Sequence, residues 1–575
     1  STHINLEKIE LHDNVELDIS NGVEFVSDEF ITQGTNVSIL VSGINSNFNV
    51  ENLVVANENQ AGLNIDDGAS VKSTSFSLGN SQDSSGTLVL KGDKTHLEVF
   101  DTAYIGVQGN AQVSLKDGSV FKVNELVVAE SDSSVASIRI DSEDAVVDAL
   151  SIVLSKFGEA QLSIDKGEVI ADRLILSEEI GSNSNLDLKG GTLKVRSIQK
   201  GDGQSSINLE SGRLIIQEIN TSLENNGAII APGQSPGTLT INGDLNLNSG
   251  TLEMEIGKTT ANLLVYDKCD ISGVFSPGGE LSLIKWDESL DFEFDSTMSF
   301  DMFDMESVSG SFDTLNFPTL NNQYAWDLTT LYSNGVISIV DMPVSVNADA
   351  VWFSSLDKGF ISENNSKTYI QNKFDLGVIL ESKQLLDQVV RYDSLSYLYL
   401  DGSNYLETTS FEDLRTSTSL SLAIVANLDY KPNQVLLSTI VANQGIEIGL
   451  DLQGRWYAKI VNGLDVVLLT SYYQRIEGNE LIYLDISPTK INFSVNGGFV
   501  QTRLLTSPIF AGSDNLFLIG AGQDQSGTKL SYSTGDFAEV IVVDNSLSIE
   551  DSRNLKRYLA SKWLVYMVQT LPFLE

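Results

Sequence analysis

The residues best suited to chemistry are few. The 575-residue chain has three histidines, His3, His12 and His96, and one cysteine, Cys269. A zinc site would need ligands at a spacing such as His-x-x-x-His, and a nucleophile would need a base within hydrogen-bond reach. The histidines show no such spacing and none lies near Cys269 in sequence, so no zinc centre or Ser-His-Asp site is expected, and Cys269 is read as inert core. Carboxylates are abundant. In stacked-coil folds, carboxylates that converge on a cleft can cleave polysaccharides, and Asp66 with Asp67, Asp117, Asp141 with Asp144, and Asp165 are candidates. Each stands at a corner, where Asp also favours the turn through its own backbone. Calcium takes hard oxygen ligands; Asp401, Asp429, Asp514 and Asp524, near expected loops, are the metal candidates. Sugar rings stack on aromatic faces, which singles out Trp456, Tyr457, Tyr472 and Tyr473 as ligand-binding residues. No catalytic residue is assigned, and no cofactor is required beyond this calcium option.

Charge narrows the partners. With 78 Asp and Glu against 35 Lys and Arg, the formal charge is −43. Such a surface repels phosphate backbones, so nucleic acid is not an expected partner. The acidic residues are scattered through strands and turns, as on a solvated, salt-tolerant surface. Hydrophobic residues form 41% of the chain, enough to order it. No run of about 18 apolar residues occurs, and no series of ten-residue strands with aromatic girdles follows, so membrane insertion is not expected.

A repeat of about 25 residues must position whatever the first 224 residues carry. The phrases Val15-Glu-Leu17, Val37-Ser-Ile39, Leu63-Asn-Ile65, Leu88-Val-Leu90, Val113-Ser-Leu115, Ile138-Arg-Ile140, Leu162-Ser-Ile164, Leu186-Asp-Leu188 and Ile207-Asn-Leu209 return in order. A glycine corner follows several of them, at Gly68, Gly118, Gly167, Gly190 and Gly212. A further apolar patch closes each unit: LVVAN from Leu53, FSLGN from Phe76, YIGVQ from Tyr104, LVVAE from Leu126, IVLSK from Ile152 and LILSE from Leu174. Alternation of period two with three short strands per repeat predicts closed coils whose inward residues stack into ladders, a parallel β-helix expected to be right-handed.

From Gly227 the text changes. Pro232, Gly233, Ser235, Pro236 and Gly237 form a Pro-Gly-x-Ser-Pro-Gly turn, and Trp326, Asp327, Leu331 and Tyr332 a Trp-Asp-x-x-x-Leu-Tyr phrase. Residues 225–340 thereby resemble the autotransporter-associated β-helix repeat region, which implies a final, capping stack of coils. Cys269 departs from that pattern, standing where the phrase usually has an aliphatic residue. Residues 341–347 are expected to be a linker. Beyond it, Trp352, Asp357, Asp401, Gly402, Asn496, Gly497, Ala538, Glu539, Tyr558 and Trp563 carry a resemblance to the concanavalin A-like, laminin-G-like jelly roll over residues 348–575. Asn496-Gly497 predicts a type I′ hairpin turn, and Ser548 to Trp563 a capped amphipathic helix with Leu555, Leu559 and Trp563 on one face.

The expected fold class is therefore all-β, a parallel β-helix followed by a concanavalin A-like sandwich. Three functions fit these parts. The leading one is a non-enzymatic extracellular surface or matrix protein of a bacterium, a stiff stalk presenting a lectin-like domain to a glycan or a neighbouring surface protein, with self-association expected. The second is a phage tail fibre or other virion protein. The third is a polysaccharide-degrading enzyme with a sugar-binding module.

Overall fold

The computed structural model describes residues 3–567 apart from 287–292, 319, 321–323, 329, 342–349, 357–359, 365, 374–377, 392–394, 409–417, 507, 509–516, 525–526 and 566. Strand accounts for 63% of the protein and helix for 4%. The chain divides into two compact units, residues 1–289 with 302–310, and residues 290–301 with 311–575.

The first unit is a β-solenoid of about ten turns. Each coil has a short strand, such as Asn110–Lys116, and a longer one, such as Val120–Val128, which the exposed pair Asn124 and Glu125 bends at its middle. Three faces result from two strand segments. Parallel pairing stacks like on like: Leu17, Ile39, Leu63, Leu88, Val113, Ile138, Leu162, Leu186 and Ile207 form one ladder. The expected phrases thus lie in register from Leu63 onward. The first two need correction by two residues, since Val37-Ser-Ile39 pairs with Ala61-Gly62-Leu63. A slip of two keeps every side chain on its face, so alternation alone could not detect it. A second ladder joins Phe30, Leu53, Phe76, Ala103, Leu126, Ile152, Leu174, Ile198 and Ile219. Here the patch taken from Tyr104 begins one residue earlier, at Ala103, because Phe100, Asp101 and Thr102 carry an additional residue around the bend.

The ladders are dry. Leu63, Leu88, Leu115, Ile140, Leu188 and Leu209 are fully buried, each removal from water stabilising by about 1.5–3 kcal/mol. In the first coils Phe25, Phe30 and Phe48 meet edge to face, with centroids 5.1–6.4 Å apart. A second corner recurs after each closing patch, at Ala56, Gly79, Gly106, Ala129, Ser155 and Ser177, all with φ between 51° and 79°. Small side chains suffice there: Ala56, Ala129, Ser155 and Ser177 are at most 1% exposed.

The second unit contains a β-sandwich. An antiparallel sheet runs 387–391, 395–401, 534–543, 420–428, 480–486, 490–495 and 501–504, with 350–354 also pairing to 534–543. A nine-stranded sheet runs from 361–364 at one edge to 465–474 at the other. Leu400, Leu422, Ile424, Leu437, Ile448, Ile482, Phe493 and Val540 fill the shared core. The helix Ile549–Lys562 covers the other face of the first sheet. As expected, Ser548 caps it, its Oγ accepting from Asp551 N at 3.1 Å, and Leu555, Leu559 and Trp563 are fully buried. The same unit holds a three-stranded antiparallel sheet of 299–301, 324–327 and 336–341. Trp326 is buried there among Phe294, Phe300 and Phe317, with centroids 5.3–6.2 Å away.

Candidate functional site

An open cleft of about 480 Å³ lies on the sandwich, lined by Ser471–Gln474, Ile476, Glu480, Phe493–Asn496, Phe499 and Gln501 among others. It forms where strands Asp465–Gln474 and Gln501–Leu504, each the last of its sheet, lie against one another. Pairing of Asp465–Gln474 with Arg455–Asn462 jumps from Tyr457↔Thr470 to Arg455↔Gln474, so Ser471, Tyr472 and Tyr473 stand opposite Trp456 alone. A bulge of this kind at a sheet edge re-aims side chains. Both tyrosines face solvent in consequence, Tyr472 at 63% and Tyr473 at 76% exposure. Phe499, 60% exposed, meets Tyr472 edge to face at 5.0 Å.

The floor is polar and fixed. Glu480 is buried, accepting Trp456 Nε1–H at 2.8 Å and Asn496 Nδ2–H at 3.4 Å. Burial pushes its carboxyl up to about 7 despite these donors. Asn496 accepts Leu481 N–H on its side-chain oxygen and donates its own N–H to Leu481 O, both at 2.8 Å. Asn496 and Gly497 take φ of 50° and 64°, the left-handed pair expected of them. The loop is longer than a two-residue hairpin, because pairing resumes only at Phe493↔Gln501. Three further residues, Gly498, Phe499 and Val500, fit within it, and this length carries Phe499 over the cleft.

The sequence candidates therefore separate. Tyr472 and Tyr473 share the cleft. Trp456 does not belong to a sugar platform: it is 1% exposed and its indole is spent on Glu480. Alternation in the strand pointed it inward, a signal its aromatic type obscured. Tyr457 is half-buried, its hydroxyl donating to Glu447 at 2.9 Å. Phe499 was missed; its position two residues after Asn-Gly was the available signal.

Asp401 is occupied by its own turn, accepting from Ser403 N, Ser403 Oγ and Asn404 N at 2.8–2.9 Å. Asp524 accepts from Thr528 N at 3.0 Å, Asp429 is exposed, and Asp514 lies outside the described residues, as does Asp357. Among the described residues no three His, Cys, Asp or Glu side chains come together as a metal site. In the solenoid, Asp67 and Asp117 adopt the left-handed corner, and Asp165 pairs with Arg139 at 2.7 Å. Cys269 is fully buried beside Met254, its thiol pushed up by burial.

The most interlocked polar group is structural. Glu539, fully buried, accepts the indole N–H of both Trp352 and Trp563 and pairs with Lys562 at 3.0 Å. Tyr558 meets Trp352 edge to face at 6.0 Å. Trp352, Glu539, Tyr558 and Trp563 thus converge as the lock between helix and sheet.

No protein-family model matches the chain, and no curated protein matches it in sequence. Among solved structures, the binding domain of botulinum neurotoxin DC in complex with SialylT is similar over 37% of this chain and 52% of that one, at 10% identity and a TM-score of 0.30. A structure described as NanB plus Optactamide is similar over 31% of this chain and 28% of that one, at 13% identity and a TM-score of 0.24. This chain therefore spans about half the length of the first and less of the second. No helix among the described residues is long and apolar enough to cross a membrane.

Proposed function

We propose that this protein is a non-enzymatic surface or matrix component outside the cell, in which a β-solenoid serves as scaffold and the sandwich binds saccharide. The observation that carries the proposal is the bulge presenting Tyr472 and Tyr473 side by side at the mouth of a cleft roofed by Phe499. Exposed aromatic rings cost hydration that a folded chain ordinarily avoids, and an edge bulge is a built feature. A pyranose offers an apolar C–H face to such rings and hydroxyls to the rim. Ser471, Gln474 and Gln501 are polar groups at that rim. Among the described residues the exposed lining carries no charged side chain, which favours a neutral sugar.

A printed array of neutral and acidic glycans, probed with the full chain, tests this. Retention on neutral oligosaccharides is expected. An array that stays blank for every neutral glycan would overturn the proposal and favour a scaffold whose sandwich docks on protein.

A further inference from the structure

We infer that the solenoid carries a second, separate ligand site, a groove for the carboxylate of an acidic saccharide, built around Lys194, Arg196 and Arg213. The groove holds about 500 Å³ and crosses the outer face of the coils between Ile170 and Glu253. Register places Ile170 beside Lys194, Lys194 beside Ile215, and Ile215 beside Ala231. Ile170, Ile215 and Ala231 therefore give it an apolar floor, lowest at Ala231. The turn Pro232–Ser235 closes one end.

The donors left over in the groove point to the ligand. Every carboxylate of the groove is already engaged. Asp172 receives Arg196 through two bonds of 2.6 and 2.9 Å. Glu253 receives Arg213, and Glu255 receives the Ser235 hydroxyl. Asp267, 1% exposed, accepts Gly237 N–H at 2.6 Å on one oxygen and Glu255 N–H at 2.7 Å on the other. The donors are not exhausted. Lys194 is exposed and has no ion pair among the described residues, and a guanidinium carries five N–H groups, of which Arg196 uses two and Arg213 one on these carboxylates. Gln217 and Gln234 add amides. The cations of the groove thus keep N–H groups for a ligand's acceptors, while each carboxylate already holds at least one donor. The apolar floor adds a preference for a ring with a C–H face, and a uronate residue unites the two. Burial also pushes Asp267 up to about 7, which lowers the negative charge facing such a ligand near neutral pH.

The aromatic cleft of the sandwich contributes nothing to this groove, so the two sites fail independently. Affinity electrophoresis of the full chain through gels containing polygalacturonate, at low and at 0.5 M salt, is the test. Retardation is expected at low salt and should fade at high salt, where screening shortens the reach of the charges to a few ångströms. Lys194→Gln should weaken it about ten-fold, the worth of one charge-assisted hydrogen bond, and Lys194→Glu should abolish it. Ala231→Trp, which fills the floor, should also abolish it. Lys194 is exposed, so its two variants keep the test valid if the tryptophan variant fails to fold. The double variant Tyr472→Ala, Tyr473→Ala should migrate as the unaltered chain does. Absence of retardation, retardation unchanged in Lys194→Glu, or retardation lost only with the two tyrosines would each overturn the inference.

Discussion

The solenoid and the sandwich are both all-β, yet they obtain specificity differently. In the regular coils of the solenoid a residue's partner is its own counterpart about 21–27 positions away, so the same apolar ladders serve coil after coil. In the sandwich, partners lie at no fixed separation, from hairpin neighbours such as Ile486 and Ile491 to Trp352 and Glu539, and one buried charged network decides how the helix meets the sheet. Repetition makes the solenoid legible and uniform; irregularity gives the sandwich its bulged edge and its cleft.

The contrast can be broken first at a ladder. Leu115→Asp buries an unpaired carboxylate and should cost about 5 kcal/mol, while Lys116→Asp, on the exposed neighbour, should stay within about 0.5 kcal/mol. Equal shifts in thermal melting would contradict the inward register. Next comes the lock. Glu539→Ala strands Lys562 and two indole N–H groups, and denaturant titration of the sandwich transition should show a loss of about 3–5 kcal/mol. A loss under about 1 kcal/mol would show that apolar packing alone seats the helix.

How much of this was legible follows from the same contrast. Period and alternation exposed the ladders, the left-handed corners at Gly68, Gly118, Gly167 and Gly212, and the helix with its Ser548 cap, because each is a local signal repeated or bounded by turn chemistry; Gly190, expected as a corner too, has no positive φ and lies within the strand Asn183–Lys200. The second corner was present in the text as the small residues Ala56, Gly79, Gly106, Ala129, Ser155 and Ser177, but alanine and serine do not announce positive φ. Tyr472 and Tyr473 were legible as aromatics, whereas the bulge that turns both outward depends on pairing with Arg455–Asn462. The groove around Lys194 depends on stacking register, which brings together residues as distant as Asp172 and Asp267.

Each unit also holds one deeply buried carboxyl raised to about 7, Asp267 in the solenoid and Glu480 in the sandwich. A folded-state value above the unfolded one means that the proton is held more tightly in the fold. The contribution is fully present below about pH 4.5 and is lost as pH rises through 7. For Glu480 the span is on the order of 3 kcal/mol. Glu480→Gln, neutral throughout, should therefore flatten the fall in sandwich stability between pH 5 and pH 8, measured by urea titration. An unchanged slope would assign that fall to the net charge of the chain alone.

The smallest effects concern corners. Gly118→Ala meets only ordinary contacts, the nearest at 3.5 Å, so the cost is the strain of φ +77°, about 1 kcal/mol. At Gly167 a Cβ would approach Ala145 O to 2.4 Å and Ser142 O to 2.5 Å, besides a φ of +68°. That substitution should lower the melting temperature clearly more than Gly118→Ala does; equal shifts would mean that the coil stack yields at its corners.

The division of labour itself is tested most directly by calorimetric titration of a neutral oligosaccharide retained on the array into the unaltered chain and into the double variant Tyr472→Ala, Tyr473→Ala. Stacking on two rings is worth on the order of 1–3 kcal/mol in all. Affinity should fall at least about ten-fold in the double variant while the melting temperature is unchanged, since both rings are exposed. Undiminished affinity would contradict that division of labour and place saccharide recognition elsewhere on the molecule.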